Sequence, residues 1–226
     1  MADFSKTREW EEIIELVVEA VSRELRLPLA PPSDISTVPV EVSNRHCHLT
    51  RETFELLYGK GRELTPIREL SQQGEFACQE TVVVVGPNMH SIEGVRILGP
   101  WRKFDQVELS FTDGFYLGMD LPVRLSGDVA GSAPITLVGP RGSVTLREGA
   151  IRALRHLHAS PEEAQRFGLK DGEKIDIEIP GPNGVIFRNV IVRVSPSGRL
   201  AFHIDTDEAN AAGVKRTSIG RIVGRA

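Results

Sequence analysis

The chain has 226 residues, of which 40% are hydrophobic, and a formal net charge of −4 at pH 7. This length is sufficient for two domains with separate cores, and the acidic balance argues against general nucleic-acid binding. No apolar run approaches the roughly 20 residues that span a bilayer, and the acidic N-terminus lacks the features of a secretion signal. We therefore expect a cytoplasmic protein without membrane contact.

The first predicted element is an amphipathic helix over residues 7–27, where apolar residues recur at helical spacing against a glutamate-rich face. Residues 28–39 are rich in proline and are typical of a linker. We therefore expect residues 1–37 to form a separate N-terminal segment. Its helix would either pack on its own domain or on a twin subunit, or act as a detachable targeting or assembly peptide.

From residue 38 onward the pattern changes to short strands rich in Val, Ile and Leu and separated by Gly, Pro, Asp or Asn. The predicted strands are residues 38–42, 80–85, 91–98, 106–111, 121–125, 135–138, 143–146, 174–179, 185–194 and 200–204. Such a density of strands favours a mainly β protein with two tandem β-barrel domains capped by short α-helices. A stretch rich in Gly, Ser, Ala and Pro over residues 127–134 predicts a boundary between a first domain, 38–128, and a second, 129–226.

The most informative motif is Arg-His-x-His, which occurs at residues 45–48 and again at residues 155–158. Alternate residues of a strand face the same side, so each copy aims two imidazoles at one point, as a metal ion requires. Each copy leads into a short predicted helix with Thr50 or Ser160 as its N-cap, and Ser160 forms a capping box with Glu163. The duplication indicates two related barrels or sandwiches that share one site.

Metal ligands follow from the motif, because a catalytic zinc typically has three protein ligands and an open position. One set of candidates is all histidine: His156, His158 and His203. The other needs a carboxylate, for which Glu108 is the best candidate because it alternates with apolar residues: His46, His48 and Glu108. Weaker candidates for that third ligand are Asp105, Asp113 and Asp128. We expect two zinc ions per chain, although such ligands also accept cobalt or manganese.

Two cysteines, Cys47 and Cys78, are too few for a disulfide framework and are expected to be reduced. Cys47 lies between two candidate ligands on a strand, so its side chain should face the opposite side.

Arginines are better candidates for a role in the chemistry, because a guanidinium binds phosphate through two parallel hydrogen bonds. Arg96 and Arg102 bracket a turn, and Arg102 is the favoured phosphate ligand.

Six segments resemble, in order along the chain, the PduL-type phosphate propanoyltransferases: residues 38–49, 95–102, 106–108, 122–128, 155–158 and 203–210. The resemblance implies a zinc-dependent phosphotransacylase, which exchanges coenzyme A and phosphate on a short acyl group, propanoyl or acetyl, within a pair of β-barrels. It implies one zinc on each of the two ligand sets above and a catalytic, phosphate-binding role for Arg102. It also implies five contacts with coenzyme A: Val42, Ser43, Asn44, Arg96 and Asn210.

Three places depart from the family pattern: Asn88-Met89-His90 replaces an expected lysine, Phe111 stands where a basic residue is common, and Ala159 replaces a methionine. The first change affects one expected coenzyme A contact, and none affects an expected metal ligand. Many members are cargo of bacterial microcompartments, including those of propanediol degradation, and carry a helix and linker like residues 7–39. Residues 7–27 would then contact shell or cargo proteins, or mediate homo-oligomerisation.

Direct attack of phosphate on the thioester is expected, since no serine or cysteine is paired with a base and no Gly-x-Ser-x-Gly elbow is present. One alternative is a dinuclear zinc hydrolase acting on a thioester or phosphoester, although the Asp-His that often completes such sites follows neither histidine pair. A second alternative is a non-catalytic, zinc-stabilised scaffold, although structural zinc sites usually have four ligands rich in cysteine.

Overall fold

The computed structural model describes residues 36–215 and 218–225. The predicted amphipathic helix of residues 7–27 lies outside the described residues, as does most of the linker. The assembly, microcompartment and oligomer contacts expected of that helix therefore stay predictions. Within the described ranges, no helix has both the length and the apolar character needed to cross a membrane.

The described residues form fourteen strands and four short helices. The strands are β1 Thr37–Ser43, β2 His46–His48, β3 Pro66–Glu69, β4 Phe76–Val85, β5 Ser91–Gly99, β6 Gln106–Glu108, β7 Val123–Arg124, β8 Ala133–Val138, β9 Ser143–Ala153, β10 His156–Ala159, β11 Lys174–Ile179, β12 Val185–Val194, β13 Ala201–Asp205 and β14 Ile219–Arg225. The helices are α1 Arg51–Tyr58, α2 Phe111–Leu117, α3 Pro161–Phe167 and α4 Thr206–Ala212. The expected fold class, mainly β with short helices, is confirmed.

The first barrel is a closed ring in which β4, β5, β2, β6, β9 and β8 pair in that order and β8 returns to β4. β3 pairs with β4 and β7 pairs with β9 outside this ring. Apolar side chains from the ring and its helices fill the interior, including Cys47, Leu49, Ile97 and Val107. The residues that alternate with them on β2 and β6 face outward, and these include the expected ligands.

The second barrel is the closed ring β1–β13–β10–β12–β11–β14. Its core is separate and includes Val38, Leu157, Phe202 and Ile204. From β1 onward, the chain therefore contributes one strand to the second barrel, forms the whole first barrel, and returns to the second barrel at β10. Two barrels were expected, and residues 36–215 and 218–225 form two.

The strand pairing differs from the expected boundary between residues 128 and 129. β1 was assigned to the first domain but pairs with β13 and β14 of the second barrel. β8 and β9 were assigned to the second domain but pair with β4 and β6 of the first barrel. Sequence patterns show where strands occur, whereas pairing between distant segments depends on which faces close a ring, so local patterns could not assign these three strands.

Two predicted strands also proved too long, because the segment 121–125 is a strand only over β7, Val123–Arg124, and the segment 106–111 changes into a helix. The segment 106–111 was expected to be a strand throughout, but β6 ends at Glu108, and Phe111 is the first residue of α2. Ser110 caps this helix in a capping box with Asp113. A helix of this length has only two turns, so its apolar spacing gives a weak signal, and the capping box was the stronger indication.

Candidate active site

Four short strands carry the candidate ligands, and each leads into the N-cap of a helix. In every case the last ligand lies two residues before the cap, in the pairs His48 and Thr50, Glu108 and Ser110, His158 and Ser160, and His203 and Asp205. Each cap side chain accepts a hydrogen bond from the backbone N–H three residues later. The cap fixes the end of the strand and, with it, the backbone of the ligand.

The first group of ligands is His46 and His48 on β2 and Glu108 on β6. The two strands are antiparallel, and His46 lies directly opposite Glu108. One ligand atom from each residue lies within 4.8 Å of the others, and His46 Nε2 is 3.5 Å from Glu108 Oε2. All three side chains are buried. The structure thus brings the expected carboxylate next to the expected histidine pair.

The second group repeats this construction with a third histidine. His156 and His158 lie on β10, and His203 lies on β13 directly opposite His156. Their ligand atoms also lie within 4.8 Å of one another, and the Nε2 atoms of His156 and His158 are 3.0 Å apart. In both groups the first histidine of the motif faces the third ligand across an antiparallel pair, and the second histidine lies two residues further along.

Two of these histidines are oriented so that one ring nitrogen is available to bind a metal. His46 Nδ1 lies 2.7 Å from the carbonyl oxygen of Asn44, and His156 Nδ1 lies 2.8 Å from that of Leu154. Each ring donates Nδ1–H to the carbonyl two residues earlier and leaves the Nε2 lone pair for a metal, a common arrangement around zinc. His48 Nδ1 is buried and has no hydrogen-bond partner among the described residues. The nitrogen and oxygen donor sets are those that zinc accepts.

The charge state of the ligands also suits a metal. Burial lowers the pKa of His48 to about 3, of His156 to about 4 and of His158 to about 2. These rings are therefore neutral near pH 7, which is the form of imidazole that coordinates metals. Burial alone would raise the pKa of Glu108, but His46 and His48 hold it below its ordinary value. The first group thus carries an ionised carboxylate, and the second group has none.

The arginine of each motif binds an acidic side chain at a helix start. Arg45 Nη2 lies 2.9 Å from Asp113 Oδ1, and Arg155 Nε lies 2.8 Å from Glu208 Oε1. Both acids complete capping boxes, Asp113 in α2 and Glu208 in α4. Each arginine therefore ties its own histidine strand to the helix that follows the third ligand.

The other carboxylates considered as third ligands are engaged elsewhere. Asp105 accepts hydrogen bonds from the Thr50 backbone N–H at 2.7 Å and from Thr53 Oγ1 at 2.6 Å, and so supports the start of α1. Asp128 pairs with Arg124 at 3.2 Å. Together with the Arg45 pair of Asp113, these contacts leave Glu108 as the carboxylate that reaches His46 and His48.

Neither cysteine is available as a nucleophile. Cys47 and Cys78 are free and fully buried. Burial raises the pKa of both thiols, that of Cys78 to about 11. Cys47 and Leu157, the variable residues of the two motifs, lie in the barrel cores. The expectation that Cys47 faces away from the ligands is confirmed.

A cavity of about 720 Å³ is lined by residues of both barrels and contains all six candidate ligands. Five further expected site residues also line it: Val42, Ser43, Asn44, Arg96 and Arg102. Asn210 is exposed on α4 and is not part of the lining. One cavity therefore brings together every expected site residue except Asn210.

Arg102 is held at the wall of this cavity. Its backbone N–H donates to the carbonyl oxygen of Leu49 at 3.0 Å, and its Nη2 lies 2.5 Å from Glu75 Oε1. Its Nε is buried and lacks a hydrogen-bond partner among the described residues. One part of the guanidinium is thus anchored, and a buried donor remains for an anion.

Two polar residues at the ligands were missed from the sequence. Glu41 on β1 lies opposite His203, with its Oε2 3.1 Å from His203 Nε2, and this contact holds the pKa of Glu41 below its ordinary value. Gln106 on β6 donates from Nε2 to Glu108 Oε1 at 2.6 Å. Glu41 lies between Val40 and Val42, which is the same signal that indicated Glu108, whereas Gln106 has an apolar neighbour only on one side, Val107.

Comparison with known proteins agrees with this geometry. A sequence model of the phosphate propanoyltransferase family matches residues 39–215. A phosphate propanoyltransferase of Lachnoclostridium phytofermentans is 46% identical over 93% of this chain and 96% of its own. A phosphate propanoyltransferase of Rhodobacter capsulatus is 45% identical over 85% of this chain and 89% of its own. Another, from Thermotoga maritima, is 49% identical over 76% of this chain and 82% of its own. The chain is therefore an acyltransferase, and it belongs to the phosphate propanoyltransferase family.

Proposed function

We propose that this phosphotransacylase exchanges coenzyme A and phosphate on a propanoyl or acetyl group at a dinuclear zinc site, so that acyl-CoA and phosphate give acyl phosphate and CoA. The observation that carries the proposal is the convergence of two three-ligand groups and Arg102 on one cavity. Family membership supports the phosphotransacylase chemistry. The ligand groups support the metal, and the buried donor of Arg102 supports the phosphate site.

One zinc would be held by His46, His48 and Glu108, and the other by a second set: His156, His158 and His203. When bound, zinc supplies a Lewis acid that polarises a carbonyl oxygen or stabilises a departing thiolate. Because the first set includes a carboxylate and the second is all imidazole, the two sets differ by one negative charge. That difference would give the two sites different affinities for an anionic ligand once metal is bound.

Arg102 would bind phosphate through its guanidinium. The ion pair with Glu75 and the backbone hydrogen bond to Leu49 hold this residue at the cavity wall. An oxygen of the bound phosphate attacks the thioester carbonyl carbon, the carbon–sulfur bond breaks, and coenzyme A leaves as its thiolate. This route needs no protein nucleophile. It agrees with the burial of Cys47, whose thiol is enclosed in the core of the first barrel.

Coenzyme A would enter along the wall formed by Val42, Ser43, Asn44 and Arg96. The guanidinium of Arg96 is held in place because its Nη1 donates hydrogen bonds to the carbonyl oxygens of Cys78 at 3.0 Å and Gln79 at 2.8 Å. Because Asn210 lies outside the lining, we propose that it contacts only the part of the cofactor that extends out of the cavity.

The direct test is a CoA-release assay with acetyl-, propanoyl- and butanoyl-CoA, with and without phosphate, using zinc-loaded and chelator-treated protein. We expect phosphate-dependent thiol release together with acyl phosphate, and loss of both after chelation with recovery on adding zinc. Release that phosphate does not stimulate would contradict the proposal. Free acid without acyl phosphate would instead favour the zinc hydrolase.

A further inference from the structure

Gln106 is a fully buried polar residue beside the first ligand group. It lies on β6 directly opposite His48 in the antiparallel pair, and two residues before Glu108. Residues two apart on a strand share a face, so Gln106 lies on the ligand face rather than in the barrel core. A buried amide in this position needs partners for both its donor and its acceptor.

The hydrogen bonds of Gln106 define the orientation of its amide. The backbone N–H of Gly127 can only donate, and it lies 2.8 Å from Gln106 Oε1. The amide nitrogen must therefore point the other way, where it donates to Glu108 Oε1 at 2.6 Å and to Ser126 Oγ at 2.9 Å. The fixed N–H of Gly127 thus excludes the flipped amide, which would face Glu108 with an oxygen.

This arrangement makes the two oxygens of Glu108 unequal. Oε1 is occupied by the Gln106 donor, whereas Oε2 lies 3.5 Å from His46 Nε2. We propose that Gln106 is a positioning residue that restricts Glu108 to a single-oxygen ligand and so keeps a coordination position of the first metal free for substrate. The inference rests on the proposed metal centre, and its test does not depend on turnover.

The second ligand group has no amide side chain at the position that corresponds to Gln106. In the antiparallel pair of β10 and β13, the residue opposite His158 is Ala201, whereas the residue opposite His48 is Gln106. An alanine side chain has no donor or acceptor, and a histidine ligand has no second oxygen to restrict. Loss of the Gln106 amide should therefore affect one metal and spare the other, which a general loss of folding would not do.

The test is Gln106→Met, which keeps the length of the side chain and removes the amide. Zinc affinity is measured for both sites by stepwise chelator competition, with Glu108→Gln and His158→Ala used to assign the two steps. We expect the first site to weaken about 10- to 100-fold, as is usual when a residue that orients a ligand is lost, because an unrestrained Glu108 must be ordered on binding whether it uses one oxygen or two. The second site should stay unchanged. Gln165→Met on the exposed surface of α3 is the matched control.

Cobalt substitution supplies a second measurement, because the visible absorption of cobalt(II) weakens as its coordination number rises. In Gln106→Met, Glu108 becomes free to bind through both oxygens, so we expect weaker absorption from the first site alone. Unchanged affinity and spectrum would overturn the proposal, and so would an equal loss at both sites. Wild-type protein that binds two metals but releases no CoA would contradict the proposed function and leave this inference standing.

If Gln106→Met does not fold, the wild type provides the test. Protein labelled with ¹⁵N at glutamine side chains is titrated with zinc, and the amide signal of the buried glutamine is followed. We expect that signal to shift when the first site fills and not when the second site fills. A signal that stays unchanged through both additions would overturn the proposal.

Discussion

At the scale of single residues, each position of the Arg-His-x-His motif has its own structural task. The arginine binds the acid of a neighbouring helix cap, as in the Arg155 contact with Glu208. The first histidine faces the third ligand, the variable residue fills the barrel core, and the second histidine completes the group. A motif with four separate tasks tolerates little change, which is a physical reason for its near-identity in the two copies.

The clearest test of a single residue is Arg102→Lys, which keeps the charge but removes the planar donor group. Loss of a charge-assisted hydrogen bond costs about 1.5–3 kcal/mol, so kcat/KM for phosphate should fall about 10- to 100-fold while KM for acyl-CoA stays the same. Initial rates at varied phosphate measure this, with the exposed Arg188→Lys as the control. An unchanged phosphate dependence would remove Arg102 from the phosphate site.

The sequence alone predicted the residues that the structure brings together as two ligand groups, because the histidines repeat and Glu108 alternates with apolar neighbours. It did not predict the partners of those ligands. Glu41 reaches His203 only because β1 pairs with β13, and Gln106 faces His48 only because β6 pairs with β2. These contacts depend on pairing between distant strands, and local sequence patterns do not predict which strands pair.

At the scale of elements, the site consists of four copies of one unit: a candidate ligand on a short strand, one intervening residue, an N-cap and a short helix. The helices have seven or eight residues, which is too short for a helix to be stable alone in water. Their stability therefore depends on the caps and on packing against the barrels. In the sequence, the repeated Arg-His-x-His motif reveals two of these units. The structure adds the other two, at Glu108 and His203.

This dependence on caps is measurable with Ser160→Ala. Loss of the cap hydrogen bond to Glu163 should lower the free energy of unfolding by about 1 kcal/mol, with 0.5–2 kcal/mol as the usual range. Urea unfolding of the metal-free protein checks the value without a contribution from zinc, and Ser143→Ala on an exposed strand position is the control. Equal stability of the two variants would show that α3 is held by packing alone.

At the scale of the whole molecule, the first barrel is an insertion between the first and second strands of the second barrel. Among the described residues, its core draws only on those between Cys47 and Ala150, whereas the core of the second barrel combines Val38 and Val40 with residues from Leu157 onward. The Gly- and Ser-rich stretch near residue 128 indicated a domain boundary, but it precedes β8 and β9, which close the first barrel.

This arrangement predicts which fragments fold. Residues 44–154 contain every strand of the first barrel and should unfold cooperatively in urea, as followed by circular dichroism. Residues 38–128 lack β8 and β9, which leaves the ring open between β4 and β6, so this fragment should show no cooperative transition. The reverse result, with 38–128 folded and 44–154 unfolded, would contradict the ring as described.

The position of β1 also sets an order of events during translation. Of the strands in the described ranges, β1 is translated first, yet its partners β13 and β14 are translated last. The first barrel is complete once β9 has left the ribosome, and domains generally fold as units from the N-terminus. The set of His46, His48 and Glu108 is therefore assembled while His203 is still untranslated, so under the proposed function the first metal site would form on the nascent chain before the second.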